Sequence, residues 1–368
     1  MTGQRALGLA FAGMGVTAAL IPASLPSRAA ELGVPSDELA AAVPALFGGL
    51  LIGVLLTPLL VRHSSSSAVV RIGALIQFAG LGLSALAWVA PILVAAAGIA
   101  GLGFGMVEAS GTIVARRLAG AGLVRLLARL TAVVAVMAAG TPLLIVAAGP
   151  LHLERVVLAA GALLQLAVVL LLRSPPEVDA APAPTPLRRA LIPFAVALFC
   201  YVGTESLLSG WSAIIVQHGI GAAPTIAAVG TSAFWILMFG GRTLAARLLP
   251  SRPSRIVPIA ALAAISVLLV GAAIAAAQSS IAALALMAVA VLVCGPSYAL
   301  LIGSGLHGVK DPRVPGTTAT LIAAGATGGT VVPLIVTVTS AGTDVVPWIG
   351  AGAAALAAIA LTRVRVAS

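Results

Sequence analysis

Apolar runs of about twenty residues with little or no charge recur along this 368-residue chain, and each is long enough to cross a bilayer core as a helix. In lipid a helix satisfies every backbone N–H and C=O internally, which confines such a chain to a helical bundle. Composition agrees: hydrophobic residues make up 61% and charged residues 8%, against roughly a quarter charged in soluble domains. The chain reads as an all-α integral membrane protein. Its formal charge of +10 is spread thinly between the apolar runs. No basic patch with interleaved aromatics marks a nucleic-acid surface.

In chain order, Arg5 precedes a run over residues 6–27 that lacks a small-residue cleavage site and reads as an uncleaved first helix. A polar turn containing Arg28, Glu31, Pro35, Asp37 and Glu38 leads to a second run ending at Arg62, and His63 to Ser67 form a tight polar loop. Further runs cover residues 69–88, 92–115, 130–148 and 156–172. Composition then changes. Arg173-Ser174-Pro175-Pro176-Glu177, Pro182, Pro184, Pro186 and Arg188-Arg189 make a Pro-rich, extended linker near the middle of the chain. Six more runs follow, over residues 190–217, 222–249, 256–277, 281–303, 314–340 and 345–361. The expected organisation is a six-helix bundle (1–173), a cytoplasmic linker (174–189) and a second six-helix bundle (190–368).

The basic residues test this count. With the N-terminus inside, Arg28 and Arg155 alone of the twenty Lys and Arg fall outside. The positive-inside rule therefore places both termini in the cytoplasm, and an odd number of spans would scramble the pattern.

Local motifs extend the picture. Thr57-Pro58-Leu59-Leu60-Val61-Arg62 and Gly241-Arg242-Thr243-Leu244-Ala245-Ala246-Arg247 occupy equivalent places in the two halves. Both resemble the loop motif of the major facilitator superfamily, with Val61 and Ala246 in place of its acid. Tyr201-Val202-Gly203-Thr204-Glu205 with Ser209-Gly210-Trp211, and Gly328-Gly329-Thr330-Val331-Val332-Pro333, are similar to the fucose permease-like branch. A weaker echo pairs Gly140-Thr141-Pro142 with Gly329 to Pro333, as a parallel repeat predicts. The resemblance implies twelve helices in two bundles, with helices one, four, seven and ten lining a central cavity, in a multi-pass protein of the cell membrane. It also implies gating roles for Arg62, Arg242 and Arg247, although loss of the acid in both copies removes the family's usual latch.

Polar residues fall on the implied cavity helices. Between residues 190 and 217 Glu205 is the only charged residue and sits near mid-span, where an ionisable group is costly and marks function. Tyr201, Glu205 and Ser209 follow at four-residue steps and share one helix face. Helix four carries Glu108 and Thr112 one turn apart, and helix ten carries Gly295-Pro296-Ser297-Tyr298, where proline frees a carbonyl at membrane depth. Glu205 and Glu108 are the expected proton-carrying residues. Tyr201, Ser209, Trp211, Thr112, Trp235 and Tyr298 are the expected solute contacts. No Lys or Arg stands in the middle of a run, so neither acid has an evident cationic partner. Gly101 and Gly105 read as close-packing positions, and Cys200 and Cys294 as small apolar core residues.

Three functions remain open on the sequence: a proton-coupled secondary transporter of a small organic solute working by alternating access, a drug or metabolite exporter, and a non-transporting scaffold. Acids inside spans favour transport, since a scaffold needs none. The chain contains no Asn, and its in-span glutamines are Gln77, Gln165, Gln217 and Gln278, a poor inventory for a sugar's hydroxyls. The four histidines lie at run ends and no P-loop occurs, so neither an enzyme, a metal site nor a cofactor is indicated. A sodium site would need more clustered oxygens than these acids have around them. The partners expected are the solute, protons and lipid, with a monomer as the working unit. Cysteines introduced at Ser65 and Thr343 are expected to react with impermeant reagents from opposite sides, Ser65 from the cytoplasm; same-side labelling would overturn the topology.

Overall fold

The structure, a computed structural model, describes residues 3–119, 123–172, 189–248, 256–306, 314–339 and 342–363. Twelve long helices run through them: α1 (Gly3–Leu32), α2 (Ala42–Leu60), α3 (Ser66–Leu86), α4 (Ala90–Ala119), α5 (Leu123–Ala148), α6 (Glu154–Leu171), α7 (Ile192–Ile220), α8 (Val229–Leu248), α9 (Ile256–Ala276), α10 (Ser280–Leu306), α11 (Val314–Thr339) and α12 (Val346–Thr362). A four-residue helix, Ser36–Leu39, precedes α2. Eleven stretches are long and apolar enough to cross a membrane; α8, which contains Arg242 and Arg247, is the long helix that falls short on apolarity. Apart from Arg189, the expected linker lies outside the described residues.

Two compact units emerge, and the linker is not their only border. The first holds Met1–Ala181 together with Ser212–Gln217 and Ala222–Trp235; the second holds Pro182–Trp211, His218–Gly221 and Ile236–Ser368. The end of α7 joins the first unit through Ser36 Oγ, which donates to Gln217 Oε1 at 2.7 Å. The α7–α8 turn joins it through Thr225, packed against Gly149.

In the first unit, α4 is wedged between α2 and α3. A Cβ at Gly101 or Gly105 would stand 1.9 or 2.0 Å from the carbonyl oxygens of Leu46 and Leu50 on α2. A Cβ at Gly103 would stand 2.3 Å from Gly73 O on α3. Only glycine permits this approach, and α4 spends separate faces on it. A polar ladder joins α1, α3 and α6: Gln165 Nε2 donates to Gly13 O (2.8 Å) and Thr17 Oγ1 (3.3 Å), and Thr17 Oγ1 donates to Gln77 Oε1 (2.7 Å). All three side chains are buried, where an amide is tolerated only when bonded.

Two sequence expectations change here. The turn assigned to Arg28 and Glu31 is helical, because α1 continues to Leu32. Arg28 is wholly buried and donates to Glu31 and to Ala87 O at the end of α3, while Arg155 of α6 pairs with the same Glu31. The two cations that break the positive-inside pattern thus share one carboxylate. The serine loop is also shorter than expected: Ser65 caps α3 by accepting from Ala68 N at 3.1 Å, and Ser66 is already helical.

The second unit repeats the plan. α9 packs on α10 and α12 as α3 packs on α4 and α6. A Cβ at Gly241 of α8 would meet Leu292 O of α10 at 1.9 Å, and one at Gly328 of α11 would meet Phe199 O of α7 at 1.8 Å. Gly203 of α7 faces Val332 and Gly328, so the two motifs of the branch resemblance pack on each other. Gly105→Ala is expected to cost about 1–3 kcal/mol of stability by overpacking, whereas Gly82→Ala, with nothing near its Cβ position, costs nothing. Thermal unfolding of the two variants in detergent checks the contrast.

Candidate functional site

On α4, the faces toward α2 (Gly98, Gly101, Gly105), α3 (Ala100, Gly103) and α1 (Gly111, against Phe11) are occupied. At about 3.6 residues per turn, Glu108 and Thr112 continue the stripe of Gly101 and Gly105 toward the end of α4, beyond the close contacts with α2. Glu108 is half-buried and Thr112 exposed, its hydroxyl donating to Glu108 O at 2.9 Å. Among the described residues no cation pairs with Glu108. Also in the first unit, Trp235 is half-buried and edge-on to Phe234 at 5.4 Å, and its buried indole N–H has no acceptor among the described residues.

In the second unit, α7 is engaged on three sides. Thr204 Oγ1 donates to Gly350 O of α12 at 3.2 Å, Phe199 and Gly203 meet α11, and the Tyr201 hydroxyl donates to Cys294 O of α10 at 2.7 Å. Glu205, half-buried, falls on the strip between the α10 and α11 sides, with the Tyr201 hydroxyl in hydrogen-bonding reach. Ser209 lies one turn further and donates to Ser206 O at 3.1 Å. Trp211 is packed in the interior, at 1% exposure, and Tyr298 is half-buried on α10.

The turn of α10 before Pro296 is the unusual element. Proline has no N–H to offer Leu292 O, and Gly241 of α8 lies against that oxygen. Ser297 Oγ donates to Val293 O at 3.0 Å, Tyr201 to Cys294 O, and Arg242 Nε to Gly295 O at 3.1 Å. Leu292 O thus loses its backbone donor, and the next three carbonyls each accept an additional bond from a side chain. Gly295 is required for this: a Cβ there would stand 2.5 Å from Met238 O and 2.9 Å from Arg242 N.

Arg242, read from its motif as a loop residue, lies inside α8 and is half-buried. It interacts electrostatically with Glu205. The expectation that no cation reaches either acid therefore fails for Glu205, because glycine contacts bring α8 close to α10 where spacing along the chain gives no sign of it. Arg62 and Arg247 are exposed near helix ends. Val61, in the place of the motif's acid, is wholly buried; the Ala246 side chain lies outside the described residues. Cys200 and Cys294 are free and buried.

No protein-family model and no curated protein sequence matches the chain. Solved structures do. A D-xylose–proton symporter aligns with TM-score 0.77 at 14% identity, over 98% of this chain and 96% of its own. The nucleoside transporter NupG, as a D323A mutant, aligns with TM-score 0.72 at 14% identity, over 99% and 100%. The xylose transporter XylE from E. coli, in a partially occluded inward-open conformation, aligns with TM-score 0.72 at 13% identity, over 97% and 95%. The chain has the major facilitator fold. Its twelve helices correspond to that fold in number, and it is a multi-pass membrane protein; the fucose permease-like branch is not among these likenesses. In this major facilitator fold what the sequence missed is that Arg242 lies inside α8 with its guanidinium on Gly295 O of α10; its motif was visible, its reach was not. Tyr201→Phe strips the buried Cys294 carbonyl of its donor and is expected to cost about 1–3 kcal/mol, read as a lowered unfolding temperature.

Proposed function

We propose that this protein is a secondary active transporter that moves a small organic solute across the cell membrane by alternating access, driven by protons. The observation carrying the reading is Glu205, an acid at mid-helix on the one strip of α7 that its neighbours leave open, accompanied by Tyr201. Glu108, half-buried within α4 and with no cation paired to it among the described residues, serves as a second proton site. A carboxylate that is neutral when occluded and ionised when its side opens to water lets protonation bias two conformations differently. The likeness to proton-coupled and nucleoside transporters supports the same reading at the level of fold.

The solute is small and carries few hydrogen-bonding groups. A xylose symporter's cargo has several hydroxyls, but here Gln77, Gln165 and Gln217 are held in inter-helix bonds, and Gln278 is exposed in the turn before α10. Thr112, Ser209, Tyr201, Tyr298 and Trp235 are the contacts we assign to it, with Trp211 supporting them from the interior. We place both termini in the cytoplasm, the two bundles as the moving bodies and Arg62, Arg242 and Arg247 on the gating side. Glu205→Gln keeps size and hydrogen bonding while removing titration. In proteoliposomes with a solute panel it is expected to abolish proton-driven accumulation and spare counterflow exchange; accumulation with normal pH dependence would refute the assignment.

A further inference from the structure

Arg71 is exposed on α3, five residues after Ser66, the first residue of that helix, and so about 7–8 Å along its axis. The opposite face of α3 carries Gly73, which meets Gly103 and Val107 of α4. Arg71 therefore stands among side chains turned away from the bundle, with Ile72 and Leu75 exposed beside it. A cation surrounded by lipid-facing side chains is costly unless an anion meets it. Its Nε donates to Val169 O at 3.0 Å, one of the last four carbonyls of α6, which have no partner within their own helix. That bond holds the guanidinium between the ends of the two helices, but it uses one of five N–H donors. Among the described residues nothing meets the other four. α3 has no acidic residue, and the one acid of α6, Glu154, begins that helix at its opposite end.

We propose that Arg71 holds the headgroup of an anionic phospholipid, its two terminal nitrogens donating to the phosphate while one acyl chain lies along α3. A guanidinium offers paired N–H groups that match phosphate oxygens. Leu75, Phe78, Gly82 and Leu86 continue the Arg71 stripe at three- and four-residue steps, each of them exposed or half-buried. Gly82 has nothing within 4 Å of its Cβ position, so the stripe is notched there. From Arg71 to Gly82 the helix rises about 16 Å, close to the ~15 Å depth of one leaflet of a bilayer's hydrocarbon core. A free phosphate ion would meet the charge and leave this apolar stripe uncovered; a lipid meets both. The proposal depends on the chain lying in a bilayer and not on what it transports.

Fluorescence of the full chain in vesicles tests this. Leu75→Trp places an indole one turn from Arg71 on the lipid-facing stripe. Its quenching is compared in phosphatidylcholine vesicles containing brominated phosphatidylglycerol or brominated phosphatidylcholine, with the signal of the unsubstituted chain subtracted. The preference for phosphatidylglycerol is expected to be about fivefold, which corresponds to about 1 kcal/mol for one basic residue against anionic lipid, and to vanish in Leu75→Trp/Arg71→Gln. Leu86→Trp, at the other end of the stripe, is expected to show no preference. Equal quenching by the two lipids at position 75, or a preference unchanged by Arg71→Gln, overturns the proposal. So does an equal preference at position 86, which would reflect the general pull of a chain with formal charge +10. Inorganic phosphate is expected to leave the preference in place; its loss to phosphate at constant ionic strength would show a site for a free anion and overturn the lipid as occupant. If Arg71→Gln unfolds because Val169 O loses its donor, Leu75→Trp against Leu86→Trp in the otherwise unaltered chain still decides the matter.

Discussion

Helix backbones meet at glycine throughout this protein, with hypothetical Cβ atoms at Gly101, Gly105, Gly241 and Gly328 standing 1.8 to 2.0 Å from carbonyl oxygens of the facing helix. Apolar side chains gain little from packing on one another in lipid, since the tails are equally apolar. Close van der Waals contact between backbones is what remains, and it demands the smallest residue. The consequence reaches the site. α2 and α3 are drawn onto α4 through separate glycine faces, and Glu108 and Thr112 continue the α2-facing stripe past the last of those contacts. In the second unit the contacts at Gly241 and Gly295 set Arg242 beside a carbonyl of α10.

The second constraint is the cost of leaving polar groups unpaired away from water. Around Pro296 of α10, Ser297, Tyr201 and Arg242 place their donors on Val293 O, Cys294 O and Gly295 O. Buried Arg28 meets that cost in part, through Glu31 and the Ala87 carbonyl just past the end of α3. Such bonds are local in effect but specific in geometry, and those of Tyr201, Arg242 and Arg28 to carbonyls of another helix fix rotations that hydrophobicity alone would leave free. Gln77 Oε1 and Gln165 Nε2 are spent in the same way on the α1–α3–α6 ladder, while Gln77 Nε2 and Gln165 Oε1 are buried without a partner among the described residues.

Much of the architecture was legible in the chain. Run length and the distribution of twenty basic residues gave twelve helices because lipid forbids unpaired backbone and the inside leaflet attracts cations. The close-packing reading of Gly101 and Gly105 was also correct, since small residues inside apolar runs have few other uses. Glu108 and Glu205 stood out for the same reason that they are rare. The end of α1 was misread: Arg28 and Glu31 look like loop residues until a carbonyl of α3 and Arg155 of α6, both distant in sequence, are brought to them.

By itself the sequence determined that this chain lives in lipid, how many helices it makes, and which acids are out of place, because each of these follows from one residue and its near neighbours along the chain. Tertiary structure alone decided which helix faces are packed, which glutamines are already engaged, and that Arg242 of α8 reaches a carbonyl of α10. Those depend on backbones separated by tens of residues meeting at a glycine, and the angle and register of that meeting are set by packing, which no local pattern of side chains encodes.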